Sequence, residues 1–578
     1  MGCFYLSLPL HEVLLELHAA HPEVIIMAYI DDVLLTGPPA AVRAAYDDLE
    51  RLMHERLGLR SQPSKCHVYS PQGDVSMFPQ DMPGVLSGVD GVEVLGIPVG
   101  TDEFVRQHAL DSVARLDSVI SRLDLVGDPS LRCLLLRCCA HPRVTHLLRG
   151  IPPDLVAGGA QQHDEHIARA LQSITPGVPL SERALGVARL SISLGSMGLL
   201  SAERVAPAAY LGSLALVWSP MSEACPLLRG LLERVDLPSV QAMRTAWTGS
   251  ILPAITFLRR RVDEAGDAPL PPHVPTAESL PSPEELAVVT KPKAQKAYTT
   301  ALLTRDWCRL ADEAACVADR VWLYSLAHNS IASQYLLAIP RLAIFKMSAA
   351  QFVVALRHHL REPQPVALSV RNCGDCGAVM DDEASHYIHC RGGQGVGGGN
   401  WYTTLHVAVQ LVVLHMLRAV YPGRDRVVME DSNGAMTYSP LYQPDITVFN
   451  ADGTGVYMMV EVTVLRTTAA SHVVSAAEVV GAALERKQER KRADYGDVSP
   501  HQLSVFALDE YGMLSSDALR LLRKCAVIRG DRLDVERGLA TWSARTFTSF
   551  WRQRLSVACA RAKADIILRR AQSDWRLQ

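Results

Sequence analysis

The chain has 578 residues and a mass of 63.1 kDa, enough for three to five domains at roughly 100–200 residues each. Its 57 Lys+Arg against 61 Asp+Glu give a formal charge of −4, which excludes a uniformly basic coat or histone-like protein. With 48% apolar and 20% charged residues, a large core is available and wholesale disorder is excluded. The 13 cysteines are odd in number and irregularly spaced, unlike a secreted disulfide framework. An intracellular, reducing setting is therefore expected, with clustered cysteines acting as metal ligands. Residues 1–10 carry neither a basic n-region nor a small-residue cleavage site.

In chain order, residues 10–19 have helical periodicity, and 23–35 form a β-rich run interrupted by Asp31 and Asp32. A second helix is predicted over 38–57, with prolines at its start and Gly58 ending it. A strand over 92–99 encloses the string LGIPVG. From about 103 to 247 the pattern is almost wholly helical, and Cys133, Cys138 and Cys139 read as core residues of one apolar helix. A low-apolar linker with seven prolines covers 262–292. Helical patterning resumes over 295–361. The remainder mixes a cysteine cluster, strands at 445–449, 456–464 and 503–508, and helices. The longest apolar stretch, 407–420, is interrupted by Gln410, His415 and Arg418. It reads as a buried helix, so a soluble protein is expected.

Three constellations carry chemistry. In the first, apolar arms flank Asp31 and Asp32, which places both acids at a hairpin tip. Adjacent carboxylates repel unless solvated or bridged by a cation, and Mg²⁺ is the natural bridge. A solvated Asp-Asp turn is the plain alternative. Tyr29-Ile30-Asp31-Asp32 matches the Y-x-D-D motif of reverse transcriptases. A helix, then Gly58-Leu59-Arg60-Ser61-Gln62-Pro63-Ser64-Lys65-Cys66, then Leu95-Gly96-Ile97-Pro98-Val99-Gly100 follow it. That order resembles the later palm motifs of non-LTR retrotransposon polymerases. The resemblance implies that Lys65 lies near the incoming triphosphate and that the LG strand grips the primer. The upstream string 8–14 resembles the helix after the nucleotide-contacting motif. The same resemblance calls for an earlier catalytic Asp and for fingers, and residues 1–28 contain no Asp. An inactive palm remnant followed by a thumb-like helical region is therefore expected.

The second constellation is Cys373-x2-Cys376 followed by His386-x3-Cys390. Soft ligands two apart fit a knuckle relieved by Gly374 and Gly377, and His and Cys four apart fit one helical turn. Four protein ligands predict a closed, structural Zn²⁺ site, with His389 as an alternative ligand. Reduced core cysteines are the bland alternative.

The third follows a Gly-rich loop at 392–399 that lacks the residues of a phosphate-binding loop. After a helix over 404–420 come Glu430, Pro444-Asp445 and Glu461, the last two borne on adjacent strand-like runs. Paired carboxylates suit a divalent cation that activates water at a phosphodiester, with Glu430 as a further ligand. The arrangement resembles PD-(D/E)xK nucleases and, behind a C-C-H-C knuckle, the restriction-like endonuclease of site-specific non-LTR retrotransposons. Position 463, the simplest place for the motif's Lys, is Thr. The resemblance implies Lys491 in its stead, with Lys487 second, and matches His406 to a family His whose neighbours differ here.

The expected fold is multidomain α+β: partial palm 1–102, helical thumb-like region 103–250, Pro-rich linker 251–294, helical connector 295–365, zinc knuckle 366–400 and α/β nuclease domain 401–578. The resemblance implies a truncated retrotransposon-derived reverse transcriptase/endonuclease, nuclear if functional. Its implied cofactors are Mg²⁺ and Zn²⁺, and its implied partners are DNA and an RNA template. A catalytically dead nucleic-acid-binding or structural remnant, or a fragment of a longer complete enzyme, are the rivals. Residues 481–578 hold 19 Lys+Arg against 12 Asp+Glu. In the last helix Arg552, Arg554, Arg561, Lys563, Arg569 and Arg570 form either a solvated face or a DNA-contacting one.

Overall fold

The computed structural model describes residues 2–72, 75–78, 90–224, 230–231, 234–265, 282, 293–390, 401–423, 425–429, 444–451, 453, 455, 457–496, 498–499, 502–530 and 539–577. The linker prolines, the Gly-rich loop and Glu430 lie outside them, apart from Ser282 within the linker. The chain divides into one compact unit of residues 1–112 with 154–159, and a second of 113–153 with 160–578.

In the first unit, α1 (Gly2–Ala20) and α2 (Pro39–Leu57) enclose a small core of Val13, Leu17, Val24, Ala45, Leu49 and Leu52. Gly58 ends α2 at φ 64, where its N–H and that of Leu59 take up the terminal carbonyls of His54 and Met53. Strands β1 (Ile25–Tyr29) and β2 (Asp32–Thr36) pair antiparallel from Ile25↔Thr36 to Tyr29↔Asp32. Alternation turns Ile26, Val33 and Leu35 toward that core and leaves Tyr29 exposed. The run 92–99 is not one strand. It folds back as β3 (Gly91–Val94) and β4 (Ile97–Gly100), because Leu95 and Gly96 both take positive φ, 50 and 80, at a two-residue turn. Helix α3 (Asp102–Arg122) follows.

The second unit is helical up to the knuckle: α4 (Pro129–Leu135), α5 (Thr145–Gly150), α6 (Pro153–Ile174), α7 (Glu182–Ala188), α8 (Ala202–Ala224), α9 (Pro238–Ala246), α10 (Leu252–Ala265), α11 (Ala294–Asp312), α12 (Val317–Ala327), α13 (Ala349–His359) and α14 (Ser385–His389). Then come α15 (Trp401–Val420), β5 (Val427–Met429), β6 (Ile446–Val448), β7 (Met458–Leu465), α16 (Val473–Glu478), α17 (Ala482–Ala493), β8 (Leu503–Asp509), α18 (Ser516–Arg529) and α19 (Phe547–Leu577). One core cluster runs from Ile120 to Ala571. Cys133 belongs to it, whereas Cys138 and Cys139 are exposed, against the core reading of that pair. They lie on a π-type turn, Leu136–Ala140, which rotates them away from the face that carries Cys133.

The four-stranded sheet has the order β5-β6-β7-β8, antiparallel except for the parallel pair β7/β8. The parallel step needs a crossover, and α16 and α17 supply it. Every residue of β7 is buried, as its nearly unbroken apolar run requires of a central strand covered on both faces. Val460, Val462 and Val464 face the main core, while Met459 and Leu465 join Ala483, Leu484 and Tyr495 on the other face. Alternation therefore sends Glu461 and Thr463 toward α17. Among the described residues one helical window, 403–420, is long and apolar enough to cross a membrane by length and composition. Its Leu405, Val409, Val413 and Leu417 are packed in the core.

In the last helix Leu555, Val557, Ile566 and Ile567 are fully buried and α19 packs against α13 and α15, so four of its six cations meet protein, whereas Arg569 is exposed. Arg552 donates to the Ser330 carbonyl at 2.8 Å. Lys563 donates to the Glu510 carbonyl at 2.8 Å. Arg554 lies 4.8 Å over the Trp551 ring, and Arg570 is 1% exposed. Burial pushes the Lys563 ammonium below its ordinary range.

Candidate functional site

The β1–β2 hairpin turns through Ile30 and Asp31, and Ile30 sits at φ 62. A β-branched residue is costly in the left-handed region, about 1–2 kcal/mol, so the tight turn is held against local preference. Asp31 occupies the turn and Asp32 the first position of β2; both are exposed, as is Lys65. Among the described residues, no side-chain hydrogen bond or ion pair engages any of the three, although the Lys65 N–H donates to the Gln62 carbonyl at 2.8 Å and Asp32 pairs with Tyr29.

In the knuckle, Cys373 N–H donates to Ala378 O and Gly377 N–H to Cys373 O, each at 2.8 Å. These bonds close a tight turn in which Gly377, at φ 69, supplies the left-handed residue; Gly374 is not in that region. Helix α14 brings His386 and Cys390 to it. The Sγ and imidazole atoms of Cys373, Cys376, His386 and Cys390 lie within 4.8 Å of one another. Cys373 and Cys390 Sγ are 3.7 Å apart, close to the edge of about 3.8 Å that a tetrahedron with Zn–S near 2.3 Å requires. Cys376 Sγ and His386 Nε2 are 3.1 Å apart. This Cys3His cluster can hold zinc. Burial pushes the Cys373 thiol up to about 11 and the His386 imidazole below its usual value. The imidazole is thus ready to ligate, whereas the thiol needs the cation to expel its proton. His389 does not share the site: its Nε2 meets Glu510 Oε2 at 2.5 Å.

The sheet and its helices assemble a third cluster. Asp445 sits at the start of β6, and its Oδ2 accepts from the backbone N–H of Val462 at 2.6 Å, next to Glu461. From α15, His406 Nε2 approaches Asp445 Oδ1 at 3.1 Å and Gln410 Nε2 donates to it at 3.2 Å. From α17, Lys491 Nζ meets Glu461 Oε1 at 2.5 Å, and the Tyr495 hydroxyl donates to Oε2 at 2.7 Å. The hydrogen bond to Asp445 raises the His406 pKa against the opposing effect of burial. Burial lowers that of Lys491, but the Glu461 hydrogen bond and charge outweigh it and the net shift is upward. Lys487, one turn earlier, is pushed below its usual range by burial and by the Lys491 and Arg490 charges; Lys491 is the lysine that pairs with Glu461. Two carboxylates, a lysine and an imidazole thus converge from β6, β7, α15 and α17.

Gln410 and Tyr495 escape a reading by motif. Each lies one helical turn beyond a residue already singled out, His406 and Lys491, so the i,i+4 spacing was the available signal.

No family model matches the chain. The retrotransposable element SLACS 132 kDa protein of Trypanosoma brucei gambiense is 27% identical to it over 210 residues, 36% of this chain and 17% of that protein. The chain thus matches under a fifth of that relative's length, and the match supports a retrotransposon-related chain.

Proposed function

We propose that the chain is a retrotransposon-derived protein whose region 401–578 is a metal-dependent DNA endonuclease. The observation that supports it best is the convergence of Asp445, Glu461 and Lys491. Asp445 and Glu461 would hold Mg²⁺, and Glu430, outside the described residues, is the further candidate ligand. The ion would supply Lewis-acid stabilisation of phosphate charge and a more acidic water. Lys491 holds a positive charge beside the site of attack, and His406 and Gln410 orient Asp445. Attack by the water oxygen forms a P–O bond and breaks the P–O3′ bond. The departing oxygen takes up a proton, leaving a 3′-hydroxyl and a 5′-phosphate. Nicking of supercoiled plasmid with Mg²⁺ or Mn²⁺, lost in Asp445→Ala, supports this reading; absence of nicking across metals and DNA substrates overturns it.

One observation favours the rival, a nucleic-acid-binding or structural remnant without catalysis. All four carboxylate oxygens of Asp445 and Glu461 already have protein partners, so a cation has to share these oxygens with the Lys491 ammonium and the His406 imidazole beside it. The same nicking experiment decides between the two. For the first unit, the Asp31–Asp32 hairpin is the counterpart of a polymerase palm turn. Template-dependent primer extension lost in Asp31→Ala supports that reading, and extension unchanged in Asp31→Ala overturns it.

A further inference from the structure

The knuckle has a charge problem that the last helix resolves. Zn²⁺ with three thiolates and a neutral imidazole carries a net charge of −1, and two of the thiols, Cys373 and Cys390, are buried at 2% and 3% exposure. An uncompensated buried charge costs several kcal/mol. Arg570, 1% exposed and nearly two hundred residues along the chain, points its guanidinium there. Its Nη2 lies 3.3 Å from Cys373 Sγ and also bonds Asp375, while Nη1 donates to the Tyr387 carbonyl at 3.1 Å. Its side chain also bonds Cys390, and its Cζ sits 5.1 Å over the Tyr387 ring. One planar cation thus addresses both buried sulfurs, a loop carboxylate and the short helix that carries His386. Five N–H donors in a fixed fork allow this; a lysine has no such plane.

We propose that Arg570 is the charge partner of the zinc-bound Cys373 and Cys390 thiolates, so that zinc binding and docking of the last turns of α19 are a single event. The proposal rests on the zinc reading of the knuckle. Its consequence is a physical link between the metal and the sheet region: α19 packs along α15, the helix that carries His406 and Gln410. Without the metal the sulfurs that Arg570 faces are no longer held in one cluster, and the guanidinium is left with Asp375 and the Tyr387 carbonyl.

The test compares the full-length wild type, Arg570→Leu and Arg570→Lys, each purified with zinc. It reads the rate of zinc transfer to the chromogenic chelator 4-(2-pyridylazo)resorcinol and the rate at which iodoacetamide alkylates Cys373 and Cys390. Loss of a partner to a metal ligand typically costs about tenfold to a hundredfold in metal affinity. Arg570→Leu should therefore release zinc faster by about that factor and alkylate faster at both cysteines, with Arg570→Lys between it and the wild type. Zinc release from Arg570→Leu at the wild-type rate overturns the proposal. A second measurement needs no variant: stripping zinc from the wild type with EDTA should raise amide exchange over residues 561–572, and unchanged exchange there overturns the proposal even if Arg570→Leu fails to fold. Freshly purified wild type with zinc content near zero overturns the zinc reading and the proposal together, which separates the two failures.

Discussion

Asp445 offers a sharp test because its catalytic and structural roles predict different outcomes for two substitutions. In Asp445→Ala three donors lose their acceptor: the Val462 N–H, the Gln410 amide and the His406 imidazole. The Val462 N–H lies on a strand buried on both faces, where water cannot replace the lost oxygen. An orphaned buried donor costs about 1–3 kcal/mol; Gln410 is nearly as buried, and His406 is more accessible. The sum expected is about 2–5 kcal/mol. Asp445→Asn keeps an oxygen for Val462. It turns its amide toward His406, which accepts as the neutral tautomer, and toward Gln410, which accepts after an amide flip. Its expected cost is within about 1 kcal/mol. Neither variant presents a carboxylate to a cation, so nicking should fall by at least about a hundredfold in both. The measurements are urea unfolding followed by tryptophan fluorescence, and plasmid nicking at matched concentrations. Equal stability of Asp445→Ala and wild type refutes the hydrogen-bond geometry. Wild-type nicking by a stably folded Asp445→Asn refutes the metal role.

Arg357, fully buried, donates to the carbonyls of Pro363, Thr175 and Val178 at 2.7, 3.0 and 2.8 Å. Arg357→Met should cost about 3–5 kcal/mol in urea unfolding, and a loss below 1 kcal/mol would contradict that role. Gly195 has φ 73, and a Cβ there would lie 1.8 Å from the Leu326 carbonyl oxygen. Gly195→Ala should therefore lower stability by on the order of 3 kcal/mol or more, visible as a lower Tm. Burial pushes His163 down to about 4 and His359 down to about 3. Each stays neutral when folded but ionises in the unfolded chain near 6.5, so stability falls as pH drops from 7 toward those values. Unfolding midpoints at pH 7 and pH 5 should differ by about 2 kcal/mol per histidine, and His359→Gln should flatten the profile. Zinc binding by the stripped protein should release protons, readable in a weakly buffered indicator dye, and weaken in acid because protons compete for the thiols.

The local features of this protein were legible in its sequence because they depend on near neighbours. Periodicity and the stop at Gly58 define α2, the apolar run around a single Glu defines β7, and the spacing of Cys373, Cys376, His386 and Cys390 marks their cluster. Asp31 falls in the hairpin turn, with Asp32 opening the returning strand, because apolar arms of equal length flank the pair. Where the reading failed locally, backbone geometry was the cause: Leu95 and Gly96 at positive φ turned an expected strand into a hairpin, and the wider repeat of a π-type turn brought Cys138 and Cys139 to the surface. Tertiary structure decided the rest, since a side chain's partner across thirty or two hundred residues has no local signature. It selected Lys491 over Lys487 for Glu461, brought His406 to Asp445 although its flanking residues lack the expected motif, and gave His389 to Glu510. Above all it gave Arg552, Arg554, Lys563 and Arg570 of the last helix partners within the protein. The alternation of basic and apolar residues there has the same appearance for a solvated face and for a buried spine. Only the packing of α19 against α13, α15 and the knuckle made Arg570 an internal counter-charge, because a buried cation is stable only where the fold delivers its partners.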